Sequence, residues 1–123
     1  MKRLFSPVLI IFLFFAFSCK KDNPFEKYEG SWSGSYSGDE TGSWSASIDD
    51  DGNVVGSATS DSLPQLPLNL SGSITEDGVY YAQVAIFFNA PITFQGQLSK
   101  NSAVGSWRND SSKLSGSWSG LKN

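Results

Sequence analysis

Histidine is absent from this chain of 123 residues, and cysteine occurs only once. Without histidine the protein lacks the commonest general base and the commonest metal ligand. A lone cysteine excludes an intrachain disulfide. These absences predict no catalytic residues, no metal and no cofactor, and we expect a protein that is not an enzyme.

Two motifs resemble sites but fit ordinary strands and turns better. Segments 30–34 and 116–120 both read Gly-Ser-Trp-Ser-Gly, which superficially matches a nucleophile elbow. Each lies within a predicted strand and has no base beside it, so we interpret its serines as solvent-facing. The acidic run 49–51 before Gly52 suggests a calcium loop, yet the acids needed at both ends of such a loop are missing. A hairpin turn is the favoured interpretation.

The first 18 residues differ in kind from the rest. Two basic residues are followed by an almost wholly apolar run at 4–17, and Ser18 then precedes Cys19. This order is typical of a secretory signal peptide, and the run is shorter than a usual membrane span. The predicted parts are a signal peptide at 1–18, a lipidated tether at 19–27 and one domain at 28–123.

Cys19 ends the segment Ala-Phe-Ser-Cys, which resembles a bacterial lipobox although alanine stands where leucine is usual. The residues after it, Lys-Lys-Asp-Asn, resemble a surface-export signal of Bacteroidota lipoproteins. The resemblance implies that Cys19 is acylated and holds the protein to membrane lipid in the cell envelope, at the outer membrane. The resemblance is compatible with both the outer surface and the periplasmic face of that membrane. The alternative is a plain signal peptide with an unmodified cysteine.

Basic residues are scarce in the mature chain. Removal of the signal leaves seven basic and twelve acidic residues, a net charge of −5. Three of the seven lie in the tether, so the domain itself is acidic. A nucleic-acid binder needs a basic surface, and we therefore expect no nucleic-acid partner.

From residue 28 onward the pattern has a period of two, with glycines and aromatic or aliphatic residues alternating with serines. This period indicates half-buried strands, and clusters of Gly, Asn and Asp mark the turns between them. We predict an all-β domain, an antiparallel up-and-down meander of about eight strands. The predicted strands are 29–38, 41–49, 53–60, 66–75, 79–88, 91–99, 102–108 and 113–121.

Each of the four tryptophans has a glycine two residues away on the same strand face. Glycine makes room beside a large ring, so an indole can lie over a bare neighbouring backbone. Such alternation of small and large residues suits a small barrel, and closure removes exposed strand edges. We therefore predict a closed barrel rather than an open sheet or a sandwich. The pattern resembles avidin-type and lipocalin-type barrels and the barrel modules of bacterial surface lipoproteins. This resemblance implies the shape of the domain and no binding residues.

In a meander the connections alternate between two ends of the barrel. At the end opposite the tether, two connections are unusually apolar, whereas turns are normally polar. Apolar clusters at a barrel mouth often contact ligands or partners. We predict a binding surface for an apolar ligand or a protein partner at this membrane-distal end, and the alternative is that these side chains plug the barrel. The candidate residues are Leu63, Leu66, Phe87, Phe88 and Arg108.

The sequence thus predicts a membrane-anchored, non-enzymatic binding or interaction lipoprotein and does not indicate its ligand. The alternative is a structural envelope lipoprotein without a small-molecule ligand.

Overall fold

The computed structural model describes residues 23–85 and 91–123. The strands within them are β1 (Gly30–Gly38), β2 (Gly42–Ile48), β3 (Asn53–Ser60), β4 (Leu63–Ile74), β5 (Val79–Val84), β6 (Ile92–Leu98), β7 (Ser102–Asn109) and β8 (Leu114–Lys122). Each strand pairs antiparallel with the next, and β1 pairs with β8, so the sheet closes into a barrel. The predicted all-β meander and its closure are confirmed.

The seam of the barrel joins the two strands that carry the Gly-Ser-Trp-Ser-Gly segments. Gly34 on β1 pairs with Gly120 on β8, and Tyr36 pairs with Trp118. A Cβ at Gly34 would collide with the backbone of β8. Two bare backbones therefore approach closely at the seam, which is why glycine occupies both sides of it.

Inward and outward positions alternate along the strands, as the period of two predicts. On β2 every inward residue is buried and every serine between them is exposed. Closure turns one face of the sheet into a lumen and the other into a serine-rich outer wall. The buried apolar residues are Tyr28, Trp32, Trp44, Ala46, Ile48, Val54, Ala58, Leu70, Ile74, Tyr80, Ala82, Val84, Phe94, Leu98, Ala103, Trp107 and Trp118.

Aromatic side chains lie across glycines and bind the strand beyond. Trp118 pairs with Gly105, which in turn pairs with Gly96. The Trp118 indole crosses both, and its Nε1 donates to the carbonyls of Gln95 and Ser106, each at 3.1 Å. The same arrangement joins Trp44 to the Ser119 carbonyl, Trp107 to the Ser37 carbonyl and Tyr36 to the Thr59 carbonyl. The prediction that indoles lie over bare backbone is confirmed for Trp44, Trp107 and Trp118, and the glycines are cross-strand neighbours of these rings. The Trp32 indole instead donates to the carbonyl of Tyr28.

The strand bounds differ from the prediction mainly at β4, which begins at Leu63 rather than at residue 66. The β3–β4 connection is therefore only residues 61–62, and the prolines expected in a loop lie in the strand. A register shift accommodates them: β4 has residues 64–67 where β3 has Thr59 alone. Such bulges tolerate proline because ladder pairing is already interrupted there. Of predicted strand 79–88, the part after Val84 lies largely outside the described residues.

Within the described residues, a 3-10 turn, Glu26–Tyr28, precedes β1. Among the described residues, no helix has the length and apolar character needed to cross a membrane.

Candidate functional site

The turns of the barrel divide between two ends, as the meander predicts. The N-terminal end carries residues 23–29, the turns 49–52, 75–78 and 99–101, and the end of β8. The distal end carries the connections 39–41, 61–62, 85–91 and 110–113. Residues 86–90 of the third distal connection lie outside the described residues.

The N-terminal end is closed by the segment that precedes β1. Phe25 lies against the turn residue Gly52, where a Cβ would come within 2.8 Å of the ring. Tyr28 is buried, and its carbonyl accepts a hydrogen bond of 2.8 Å from Trp32 Nε1. Its hydroxyl lies 2.6 Å from the position that a Cβ on Gly78 would occupy. Both glycines have positive φ, so these turns fit the closing rings in shape and in backbone conformation.

Polar contacts hold the closing segment in place. Asn23 accepts the backbone N–H of Phe25 at 3.0 Å, and its side-chain amide donates to Glu29 Oε2 at 2.6 Å. Lys122 Nζ at the end of β8 donates to the carbonyl of Lys27 at 3.1 Å. Residues 23–27, expected to belong to the tether, thus pack onto the barrel.

Aromatic rings occupy the middle of the lumen. Trp118 lies 5.5 Å from Trp44 and 5.0 Å from Tyr80, measured between ring centroids. Phe94 touches Trp118 and Tyr36, and Tyr36 extends the cluster to Trp107. These rings come from six of the eight strands. Side chains rather than an open channel therefore fill the centre of the barrel.

Tyr80 sits in this cluster with a hydroxyl that donates to no residue the structure describes. The side chain is only 3% exposed, and burial raises the pKa of Tyr80 strongly. A buried hydroxyl without a partner destabilises a folded protein.

At the distal end the described core side chains differ in burial. Tyr36, Leu68, Ile92 and Leu114 are only partly buried, whereas Val84 and Trp107 are buried. Tyr36 donates to the carbonyl of Thr59 at 3.0 Å, and burial together with the charge of Glu40 raises the pKa of Tyr36. This end therefore presents apolar surface beside a carboxylate.

The bulge at the start of β4 carries two of the predicted site residues. Leu63 is 58% exposed and Leu66 is 56% exposed, so neither plugs the barrel. Pro64 and Pro67 flank Leu66 and have no backbone N–H to offer a neighbouring strand. The bulge holds the two leucines out from the wall.

A polar network braces the bulge from the neighbouring distal turn. Thr41 donates to Asp61 Oδ2 at 2.8 Å, and Ser60 donates to Glu40 Oε1 at 2.8 Å. Ser60 also lies 2.9 Å from the hydroxyl of Ser62, and Asp61 donates its backbone N–H to Thr41. The leucines thus stand beside an acidic, hydrogen-bonded rim.

The structure does not bring all predicted site residues together. Arg108 lies on the outer wall of β7, three strands from β4, with its side chain half-exposed and 3.3 Å from Asp110. It also donates to Gln95 Oε1. Lys113 lies in the β7–β8 turn at the same end. Cys19, Phe87 and Phe88 lie outside the described residues.

Sequence reasoning missed the rim and the role of Tyr36. In the sequence, Tyr36 has the pattern of an ordinary inward aromatic residue on β1. No local feature indicates that its hydroxyl reaches the Thr59 carbonyl across Gly42. The pairing of turn 39–41 with turn 61–62 depends on two hairpins meeting. The alternation of turns was the available signal, because it places both at the distal end.

The acidic turn at the N-terminal end is a hairpin turn, as predicted. Asp49 accepts backbone N–H groups of Asp51 and Asn53, each at 2.9 Å, and these bonds lower the pKa of Asp49. Its carboxylate is thereby used within the turn. The described residues contain no group of three or more metal-ligating side chains suited to a metal ion.

Comparison with protein-family models, with curated proteins and with solved structures gave no match for this chain. No relative therefore supplies a function, and the surfaces of the two ends carry any proposal.

Proposed function

We propose that this protein is a membrane-anchored, non-enzymatic interaction lipoprotein, held by acyl chains on Cys19, that binds an apolar ligand or a protein partner at the distal end of its barrel. The observation that carries the proposal is the exposure of Leu63, which pairs with Ser60, and of Leu66 on the adjoining bulge of β4. They stand at the opposite end from the segment that leads back to Cys19.

Three features support a binding role for the distal end. The N-terminal end is closed by Phe25 and Tyr28, and aromatic rings occupy the middle of the lumen. Of the described apolar side chains at the distal end, Leu63 and Leu66 stay open to solvent. The prolines beside Leu66 and the braced turn at residues 61–62 hold the bulge in one shape, which lowers the entropic cost of binding.

The anchor is tested by the intact mass of the mature protein. The proposal expects a chain that begins at Cys19 and carries acyl chains, and it expects Cys19→Ser to release the protein from the membrane fraction. More than one acyl chain is needed for stable anchoring, since a single chain binds marginally. An unmodified Cys19 would remove the anchor from the proposal and leave the distal surface to be tested separately.

The distal surface is tested with anilinonaphthalene sulfonate and the lipid-free Cys19→Ser chain. Saturable dye binding is expected, and it should be lost in the Leu63→Ser, Leu66→Ser double variant. A matched control exists in Val55→Ser, Val104→Ser, because both valines are 59% exposed on the outer wall. Equal loss in both double variants would mean that the dye reports general apolar surface.

A protein partner is tested by replacing Leu66 with a photocrosslinking benzoylphenylalanine in cells, with the same replacement at Val55 as control. One discrete adduct that forms only from residue 66, and disappears with Leu63→Ser, is the expected result. The filled lumen favours the alternative of a structural envelope lipoprotein without a small-molecule ligand. That alternative predicts neither a saturable dye site nor an adduct specific to residue 66.

A further inference from the structure

The charges of the N-terminal end are distributed unevenly around the barrel. The charged residues of the turns 49–52 and 75–78 are all acidic: Asp49, Asp50, Asp51, Glu76 and Asp77. Across the barrel, Lys100 lies in the β6–β7 turn and Lys122 at the end of β8. Lys122 donates its backbone N–H to Asn101 at 2.9 Å and its side chain to the carbonyl of Lys27. The three lysines are therefore grouped on one side.

The closing segment adds charges of both signs to this end. Lys27 has Glu26 and Glu29 within two residues of it, and Glu29 Oε2 is engaged by Asn23. These acids reduce the positive potential of the grouped lysines but leave the contrast with the two acidic turns. The side of β6–β8 is the least negative part of the N-terminal end.

The outer wall beside these lysines exposes apolar side chains. Val104 on β7 is 59% exposed and Leu121 on β8 is 64% exposed. Val104 pairs with Ser119 and Leu121 pairs with Ser102, so the two apolar residues occupy diagonal positions on one face. Diagonal neighbours on a sheet lie close enough to act as one surface. We call Lys27, Lys100, Lys122, Val104 and Leu121 the basic-apolar face.

The opposite wall provides a natural comparison. Val55 on β3 has the same residue type and the same 59% exposure as Val104. Each is the third residue of a strand that runs away from the N-terminal end. Val55 follows the turn with three aspartates, whereas Val104 follows the turn with Lys100. The two valines differ in the charge beside them.

We propose that the basic-apolar face docks on the anionic lipid bilayer that holds the anchor of this protein. Its lysines would contact headgroups, and Val104 and Leu121 would enter the interface. The inference rests on the proposed function, because it needs acyl chains on Cys19. Four residues lead from Cys19 to Asn23 and span at most about 14 Å. The N-terminal end is thereby held near the bilayer.

Charge decides which side of that end turns toward lipid. Each lysine close to an anionic membrane surface raises the partitioning of the protein onto that surface roughly fivefold. The same surface repels the five turn acids. A barrel tilted onto β6–β8 brings the lysines close and moves the acids away. Apolar side chains at the interface add to the binding. The barrel then leans on the membrane and presents its distal end obliquely.

The test measures the depth of the two matched valines. With Cys19 acylated, Val104→Cys or Val55→Cys supplies one free thiol for a bimane label. The lipidated full mature chain is reconstituted in vesicles of phosphatidylcholine, with or without phosphatidylglycerol, that contain nitroxide lipids. On phosphatidylglycerol vesicles, quenching at position 104 is expected to exceed quenching at position 55 several-fold. The difference should shrink without phosphatidylglycerol and in high salt.

Charge reversal supplies the second arm. Lys100→Glu, Lys122→Glu should abolish the difference between positions 104 and 55, while Lys113→Glu at the distal end should leave it. Equal quenching at both positions would overturn the proposal, as would a difference that survives the double reversal. Quenching at position 104 could instead decrease as the amount of protein per vesicle rises, whatever the phosphatidylglycerol content. That result would mean that a second copy of the chain covers the face, and it would also overturn the proposal.

Failure of the anchor and failure of the face remain distinguishable. Intact mass reports acylation before any vesicle is used. If Cys19 is bare, the lipid-free chain is sedimented with phosphatidylglycerol vesicles. Binding that is lost with the double reversal supports the face without the anchor, and no binding overturns it.

Discussion

The two ends of the barrel are made from similar tight turns but are finished differently. At the N-terminal end, Phe25 and Tyr28 cover the lumen, and the turn glycines Gly52 and Gly78 leave space for their rings. At the distal end no described residue plays that part, and several inward side chains, among them Leu68 and Ile92, are only partly buried. At the N-terminal end, an added segment rather than the strands themselves therefore closes the barrel.

This contrast agrees with a division of labour in the proposed function. In that proposal the closed end is the one that the tether reaches, and its fixed shape would set how the barrel stands on lipid. At the distal end, Leu63 and Leu66 are exposed to solvent and contribute nothing to the core. Such exposed apolar side chains are expected where a partner covers them.

The largest expected effect is loss of the closing ring. Tyr28→Ala should lower the free energy of unfolding by about 3 kcal/mol, because a buried aromatic ring is removed and a cavity remains. Leu66→Ala at the distal end should change it by less than about 0.5 kcal/mol, since that side chain is exposed. Urea unfolding measures both. Equal effects at the two ends would mean that the closing segment does not stabilise the barrel.

Gly78→Ala attacks the same end through the backbone. The residue has φ +87°, and a Cβ would lie 2.6 Å from the Tyr28 hydroxyl and 2.7 Å from the Leu98 carbonyl. We expect destabilisation of about 2 kcal/mol from backbone strain and overpacking. Thermal unfolding checks it, and pairing the change with Tyr28→Phe should recover part of the loss. If Tyr28→Phe recovers none of the lost stability, the whole cost comes from backbone strain at residue 78 and from the contact with the Leu98 carbonyl.

Tyr80→Phe should raise the free energy of unfolding by about 1 kcal/mol at neutral pH, since it removes a buried hydroxyl without a described partner. Tyr36→Phe, nearer the distal mouth, should lower it by a similar amount because the Thr59 carbonyl loses a donor. Chemical denaturation of the two variants checks the opposite signs. A stabilising Tyr36→Phe would show that its hydrogen bond is worth little.

The same tyrosines predict a pH dependence. Because burial raises the pKa of Tyr80 in the folded state, the unfolded chain loses that proton first as pH rises. Stability is therefore unaffected well below pH about 10 and falls above it. Tyr80→Phe should make this alkaline decline shallower, as measured by urea midpoints across that range. An unchanged slope would place the titrating group elsewhere.

A small stabilising effect is expected at the distal turn between β7 and β8. Lys113 has φ 61°, a conformation that costs a residue with a side chain more than it costs glycine. Lys113→Gly should raise the free energy of unfolding by about 0.5 kcal/mol after the entropy of glycine is subtracted. Differential scanning calorimetry can resolve the shift. A fall in melting temperature would mean that the lysine side chain makes a stabilising contact.

The strands and their order could be predicted because each depends on neighbours in the chain. Ser-Trp-Ser-Ala-Ser-Ile on β2 alternates with a period of two, and Asp50-Asp51-Gly52 marks the turn after it. The β4 bulge could not be predicted, because two prolines usually mark a loop and only pairing with β3 on both sides draws residues 63–67 into the strand.

The sequence also placed two of the candidate residues at the correct end of the barrel. Leu63 and Leu66 were found as apolar residues in a place where turns are polar, and alternation of the turns assigned them to the distal end. Arg108 was placed with them by the same rule, yet in the closed barrel it lies three strands away on the outer wall. An assignment to one end says nothing about position around the circumference.

The sequence by itself determined the period of the strands, the positions of most turns and the division of residues between lumen and wall, because these follow from local alternation and turn chemistry. The tertiary structure decided which glycine lies under which ring, as with Trp118 over Gly105 and Gly96. It also decided that Phe25 and Tyr28 close one end. The physical reason is closure: it brings strands distant in sequence into hydrogen-bonding register, and only then do side chains reach across a bare backbone to the next carbonyl.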